Sequence, residues 1–223
     1  MIRSQFAADA WRGGTWPRAA TAAIAEDACR AHAASPAQQQ AAASLAEPDT
    51  VVVVTGQQPA LGGGPLYTVI KAAQTVALAE ALREQGFDCV PVFWCASEDH
   101  DAGEADHADL IHADGRVQRI HSRWTRTGAS SRFQAADGAW RTLCDAGRRL
   151  PGQLGAAWLQ RLAPREDEDL GSWCCRLLSR LFADSPLVCL QAHQLRPLWR
   201  DRIGHIQEHW PSAELAARRQ ALL

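Results

Sequence analysis

Apolar and polar positions follow two rhythms along this chain. Four consecutive valines occupy 51–54 and Thr55 follows. This is a run of strand length, apolar on both faces, as expected of a parallel strand covered on both sides. Leu66, Val69, Ile70, Ala73, Val76 and Ala77 then recur at i, i+3, i+4 and i+7 spacing, the stripe of a helix lying on a sheet. Pro65 suits the first helical position and Gly86 the position just past the last turn. Val90-Pro91-Val92-Phe93-Trp94 is a second strand-length run. The spacing predicts a strand–helix–strand unit with parallel strands and a right-handed crossover.

The rest of the chain extends this unit. Asp109-Leu110-Ile111-His112 and Val117-Gln118-Arg119-Ile120-His121 flank Asp114-Gly115, a hairpin signal. Arg123 to Gly138 is polar and irregular, with Arg123, Arg126 and Arg132 best read as a solvated face. Leu170, Trp173, Cys174, Leu177, Leu178, Leu181 and Phe182 form the cleanest amphipathic helix, and Leu187-Val188-Cys189-Leu190 a third core strand. Leu195, Leu198, Trp199 and Ile206 mark a further helix ending near Pro211.

Upstream, 19–32 and 38–46 are alanine-rich and predict two helices, broken at Ser35-Pro36. They either cover the sheet or form a low-complexity leader. The predicted organisation is a helical leader over 1–48, whose first 16 residues are a loosely ordered arm. An α/β core over 49–211 follows, with a hairpin and helical segment inserted at about 109–165. A further helix begins within 212–223.

A chain of 223 residues is long enough for one domain with a sizeable core. A net charge of −2 gives no bulk attraction for nucleic acid. Seven cysteines, an odd number with no C-x-x-C pair, fit a reducing compartment. No leader-type apolar segment and no run of membrane-spanning length is visible. These features predict a soluble cytoplasmic protein, with neither nucleic acid nor membrane as partner.

Candidate chemistry lies where the two strands end. Open α/β sheets bind ligands at the carboxyl edge of their strands. There the first strand runs into Gly56-Gln57-Gln58-Pro59-Ala60-Leu61-Gly62-Gly63-Gly64, ahead of the helix beginning at Pro65. Backbone N–H groups at that helix start favour an anion, and glycines permit its close approach. The spacing is neither Walker A nor Gly-x-Gly-x-x-Gly, so an anion site and a plain strand-to-helix turn both stand. The amides of Gln57 and Gln58 suit a substrate or a polar turn.

Tyr67, Lys71 and Gln74 share one helix face, and Lys71 either reaches back toward an anion or lies on the surface. Trp94 is a core residue or a ring-stacking one. The second strand ends in Ser97-Glu98-Asp99-His100-Asp101, with Glu104 and His107 beyond. This reads as a ligand-facing polar cluster, or as helix capping by Ser97 or Asp99. If the chain turns helical near Asp101, His100, Glu104 and His107 share a face. Their spacing matches no standard metal set, so no metal ligand is assigned.

Three blocks carry a resemblance: Val53-Val54-Thr55-Gly56-Gln57-Gln58, Gly64-Pro65-Leu66-Tyr67-Thr68-Val69-Ile70-Lys71-Ala72, and Pro91-Val92-Phe93-Trp94-Cys95-Ala96-Ser97-Glu98-Asp99-His100-Asp101. In this order they resemble the cysteine-adding enzymes of bacillithiol biosynthesis, the BshC family. A fainter match runs from Leu170 to Trp199. The chain departs from the family at Leu61-Gly62-Gly63, where bulkier residues are usual, and at Gln191-Ala192-His193, where an aspartate is common.

The resemblance implies a Rossmann-like parallel sheet with flanking helices, a nucleotidyl-transferase-like core, incomplete relative to the family. It implies a ligase joining cysteine to glucosaminyl-malate, with an adenine nucleotide as the activating cofactor. The residues by themselves fix no cofactor. It places Glu98, Asp99, His100 and Asp101 at the catalytic centre. Gly56, Gln57, Gln58, Gly64, Pro65, Tyr67, Lys71, Trp94, Glu104 and His107 become substrate- or nucleotide-binding positions. The family dimerises through a region not matched here, so a truncated form is expected. The alternatives are a catalytically silent ligand-binding chain and, using His100, Glu104 and His107, a metal-assisted hydrolase.

Overall fold

A computed structural model describes residues 17–112, 114–122, 138–147 and 161–209. The expected arm over 1–16, the polar stretch 123–137, the segment 148–160 and the helix start within 212–223 lie outside them. Two helices open the chain, α1 (Arg18–Ala31) and α2 (Pro36–Ser44). Ser35 starts α2 through a capping box: its Oγ accepts from the Gln38 N–H, and Gln38 Oε1 accepts from the Ser35 N–H.

Strand β1 (Val51–Gln57) leads through a 3-10 turn (Leu61–Gly63) into α3 (Leu66–Glu84) and then β2 (Cys89–Cys95). A four-residue helix, α4 (Ala102–Ala105), precedes the hairpin of β3 (His107–Ile111) and β4 (Val117–His121). The chain continues through α5 (Gly138–Gly147), α6 (Leu170–Leu181), β5 (Val188–Gln191) and α7 (Ala192–His209).

The three long strands form one parallel sheet in the order β1-β2-β5, with helices on both faces. On one face Val90, Val92, Val188 and Leu190 pack against alanines of α1 and α2 and against Leu195 of α7. Short side chains such as Ala25, Ala28 and Ala42 let those helices sit close, so the alanine-rich leader is a covering layer. On the other face Phe93, Cys95 and Cys189 meet Ala72 and Val76 of α3 and Cys175 and Leu178 of α6. A third cluster seats the hairpin and α5 against Leu61, Leu170 and Trp173. There Trp140 meets Trp173 edge to face at 5.0 Å, a favourable aromatic geometry.

Four sequence expectations need correction. The four valines do not belong to a strand covered on both faces. Among the described residues β1 is the sheet edge, and Val52 and Val54 are exposed although Val90 and Val92, their register partners, are buried. The apolar packing of the α1–α2 layer falls on β2 and β5, which apolar run length cannot reveal.

The buried face of α3 is also not the expected stripe. It carries Thr68, Ala72, Thr75, Val76 and Ala79, while Leu66 is 74% exposed and Ile70 44%. Close approach to β1 and β2 selects small residues, so the largest apolar side chains point elsewhere. Finally, Pro65 is the residue before the first helical turn, and the hairpin begins at His107 rather than Asp109.

Candidate functional site at the carboxyl edge of the sheet

The carboxyl ends of β1 and β2 lie side by side, with Gly56 opposite Trp94 and Gln57 opposite Cys95. A Cβ on Gly56 would sit 2.7 Å from the Trp94 carbonyl oxygen, so strand proximity alone demands glycine there. Trp94 itself is half-buried against the core cluster of α1, α2 and α7, which favours its packing reading.

Beyond Gln57 the chain turns through Gly62, Gly63 and Gly64, with φ of 70°, 92° and 87°. Three consecutive left-handed residues are accessible only to glycine at low cost. The turn delivers the chain to α3, where the Thr68 N–H donates to the Pro65 carbonyl at 2.8 Å and the Leu66 and Tyr67 N–H groups precede the intrahelical ladder. Thr68 sits in that first turn, 3% exposed, and its Oγ1 has no hydrogen-bond partner among the described residues. A Cβ built on Gly64 would come within 3.1 Å of this hydroxyl. A buried hydroxyl left unpaired costs about 1–3 kcal/mol, so the site holds an unmet donor beside backbone dipoles that favour an anion. Thr68 lies within the Gly-Pro-Leu-Tyr-Thr block, but its alternation with apolar neighbours disguised it as a helix filler.

Lys71 folds back onto the end of β1. Its Nζ donates to the Gly56 carbonyl at 2.7 Å and to Gln57 Oε1 at 3.0 Å, and it lies 5.1 Å from the centre of the Tyr67 ring. The surface-lysine reading therefore fails: the ammonium is fixed at the strand end. Pro65 and Tyr67 are exposed beside it.

The polar loop after β2 is brought to the same edge. Gln58 Nε2 donates to Glu104 Oε2 at 2.6 Å, joining the glycine turn to α4. Glu98 pairs with Arg196 of α7. Asp99 Oδ1 accepts from the Asp101 N–H, and Asp101 Oδ1 from the Glu104 N–H, so Asp101 caps α4. His100 is exposed between them.

The expected shared face of His100, Glu104 and His107 does not form. Helix α4 lasts four residues, His100 precedes it, Glu104 turns to Gln58, and His107 already belongs to β3. The constellation that the hydrolase alternative needs is therefore not assembled.

The carboxyl end of β5 closes this edge with two residues that spacing did not single out. Ser97 Oγ lies 3.0 Å from His193 Nδ1. Gln191 is 1% exposed and donates from Nε2 to Ser172 Oγ at 2.8 Å, over Gly171. The nearby thiols are inert packing. Burial pushes Cys189 up to about 12, and burial likewise lifts Cys174 far above the usual thiol range.

Comparison with known proteins matches the sequence of this chain to a family. Residues 8–216 match the model of the "Bacillithiol biosynthesis BshC, N-terminal Rossmann-like domain". A protein of Koribacter versatilis named "Putative cysteine ligase BshC" is 37% identical over 163 residues, 70% of this chain and 31% of its own length. A relative of the same name in Geobacillus thermodenitrificans is 32% identical over 196 residues, 77% of this chain and 33% of its own length. The chain thus spans about a third of the length of these curated relatives. With its three-block motif, parallel sheet and matched extent, the chain belongs to the BshC family, to which it contributes the N-terminal Rossmann-like domain.

Proposed function

We propose that this domain holds the reacting ends of the substrates in a ligase that adds cysteine to glucosaminyl-malate in bacillithiol biosynthesis. The reading rests on one observation: the three-glycine turn places an unpartnered, buried Thr68 hydroxyl at the start of α3. An anionic group seated there, a nucleotide phosphate or the cysteine carboxylate, accepts from the Leu66 and Tyr67 N–H groups and from the Thr68 hydroxyl. The positive charge of Lys71, held at the Gly56 carbonyl, adds long-range attraction.

A bound adenine nucleotide would supply activation of the cysteine carboxylate. The acidic loop serves the other partner. Glu98, Asp99 and Asp101 attract the ammonium form of the sugar amine. The exposed imidazole of His100 takes the proton that the neutral amine gives up as its nitrogen bonds to the activated carboxyl carbon, while the C–O bond to the activating group breaks and that group leaves with the oxygen. Glu98 and Asp101 are already oriented by Arg196 and the α4 backbone, so ordering them adds little cost on binding.

Calorimetric titration of the chain with ATP, cysteine and glucosaminyl-malate, each alone, tests this. Heat from saturable binding of at least one supports the reading. No binding of any of the three removes it.

A further inference from the structure

At the open end of the hairpin, β3 and β4 place two imidazoles opposite each other, His107 beside His121 in the antiparallel register. Their ring centres are 5.7 Å apart. Asp106 directly precedes β3, and its carbonyl accepts the Ser122 N–H at 2.6 Å, which pins the carboxylate between the two rings. Asp106 Oδ1 lies 3.2 Å from His107 Nδ1 and 3.5 Å from His121 Nδ1.

One ligating atom from each of the three residues falls within 4.8 Å of the other two. Ligands about 2.0–2.1 Å from a tetrahedral zinc ion are about 3.4 Å apart. The two Asp106 distances already bracket that separation without movement of the backbone.

We propose that Asp106, His107 and His121 form a site for a divalent transition metal of the zinc class, with one coordination position open. Two imidazoles and one carboxylate are a borderline donor set that suits zinc or cobalt over magnesium and calcium, which prefer all-oxygen shells. The neighbouring carboxylate on the same hairpin face does not compete: Asp109 is held by Arg119 through two 2.8 Å hydrogen bonds. His121 is more than half exposed and His107 about a quarter, so an ion reaches the site from solvent. Sequence spacing hid the trio because His121 is fourteen residues beyond His107 and only the hairpin register unites them. The site stands independently of the ligase reading, since it uses none of the groups placed on the anion or the amine.

The test uses tag-free, chelator-treated protein titrated with Co2+ and, separately, Zn2+. The expected result is one ion per chain, with the strong visible absorption of low-coordinate cobalt and its displacement by zinc. His121→Ala, on a half-exposed strand end, leaves the far-ultraviolet circular dichroism unchanged. It should weaken binding beyond the roughly 10–100-fold that loss of an outer partner costs. Asp106→Asn is the second variant and should act likewise. No stoichiometric cobalt uptake, or uptake unchanged in both variants, overturns the site.

Discussion

Lys71 Nζ is bonded to the Gly56 carbonyl oxygen at 2.7 Å, across fifteen residues of chain. The bond ties the first turns of α3 to the end of β1 and fixes a positive charge at that strand end. A lysine so placed acts on anything anionic that settles there. Lys71→Met keeps the length of the stem and removes the charge, and is expected to weaken nucleotide binding at least tenfold. The thermal midpoint should fall only slightly, because the carbonyl it leaves is at a half-buried edge open to water. Calorimetry and a thermal melt of the same sample check both parts.

Buried charge supplies a second expectation. Arg176 donates to both oxygens of Glu168 at 2.6 Å, and both side chains are almost fully buried. Burial pushes the Glu168 carboxyl up, but the hydrogen bonds from Arg176 and the Arg165 N–H, with their charges, hold it below its ordinary range. Glu168→Gln leaves an uncompensated guanidinium and should cost about 3–5 kcal/mol. Glu168→Leu combined with Arg176→Met should cost far less. Urea unfolding of the three proteins measures the difference.

Acid should unfold the domain in two stages. Burial lowers His32 to about 4, only partly opposed by Glu168 and Asp169, and its Nδ1 has no partner. The unfolded chain takes up a proton near pH 6.5 while the folded one does not. Stability is therefore full above that value and falls, by at most about 3 kcal/mol, as pH drops toward 4. Glu168 follows the same sign at lower pH, its contribution being lost as the folded carboxylate finally protonates. In His32→Leu the first stage should vanish and the second remain, as read by chemical unfolding at a series of pH values.

Thiol chemistry gives a local check on packing. Cys29, Cys89, Cys95, Cys174, Cys175 and Cys189 are buried and Cys144 is half-buried. Burial raises Cys29 to about 11. An aromatic disulfide reagent should therefore modify Cys144 first in the native protein, and the other six together only as urea unfolds it. Fast native reaction at Cys174 or Cys175 would contradict the packed interface of α6 with the sheet.

Much of this architecture was written in the chain. The parallel strands, the hairpin turn at Asp114-Gly115 and the amphipathic α6 follow from period and turn chemistry, which are local. What stayed hidden depends on neighbours. Valines read alike in central and edge strands, so the exposure of Val52 and Val54 needed the sheet order.

The contacting face of α3 was chosen by closeness to the strands, which favours Ala72 and Ala79 over Leu66 and Ile70. In the site, the glycine turn and the Glu98–Asp101 loop were visible as composition. The unpartnered Thr68 hydroxyl was not, and the bend of Lys71 back to the Gly56 carbonyl was one of two open readings, because neither an orphaned hydroxyl nor a lysine's direction leaves a periodic signal. His121 joins Asp106 and His107 only through strand register.

The proposed anion site at the start of α3 stands or falls with the Thr68 hydroxyl. Thr68→Val replaces that hydroxyl with a methyl group of the same shape. Without ligand, the variant should be as stable as the parent or more so, by about 1 kcal/mol, since a buried unpaired hydroxyl is removed. With ATP or cysteine, its affinity should drop about tenfold or more relative to the parent. The measurement is one paired set of unfolding curves and calorimetric titrations on the two proteins. Gain or retention of stability together with loss of affinity is the predicted result. Loss of stability with unchanged affinity would show that Thr68 is a packing residue and would contradict the account.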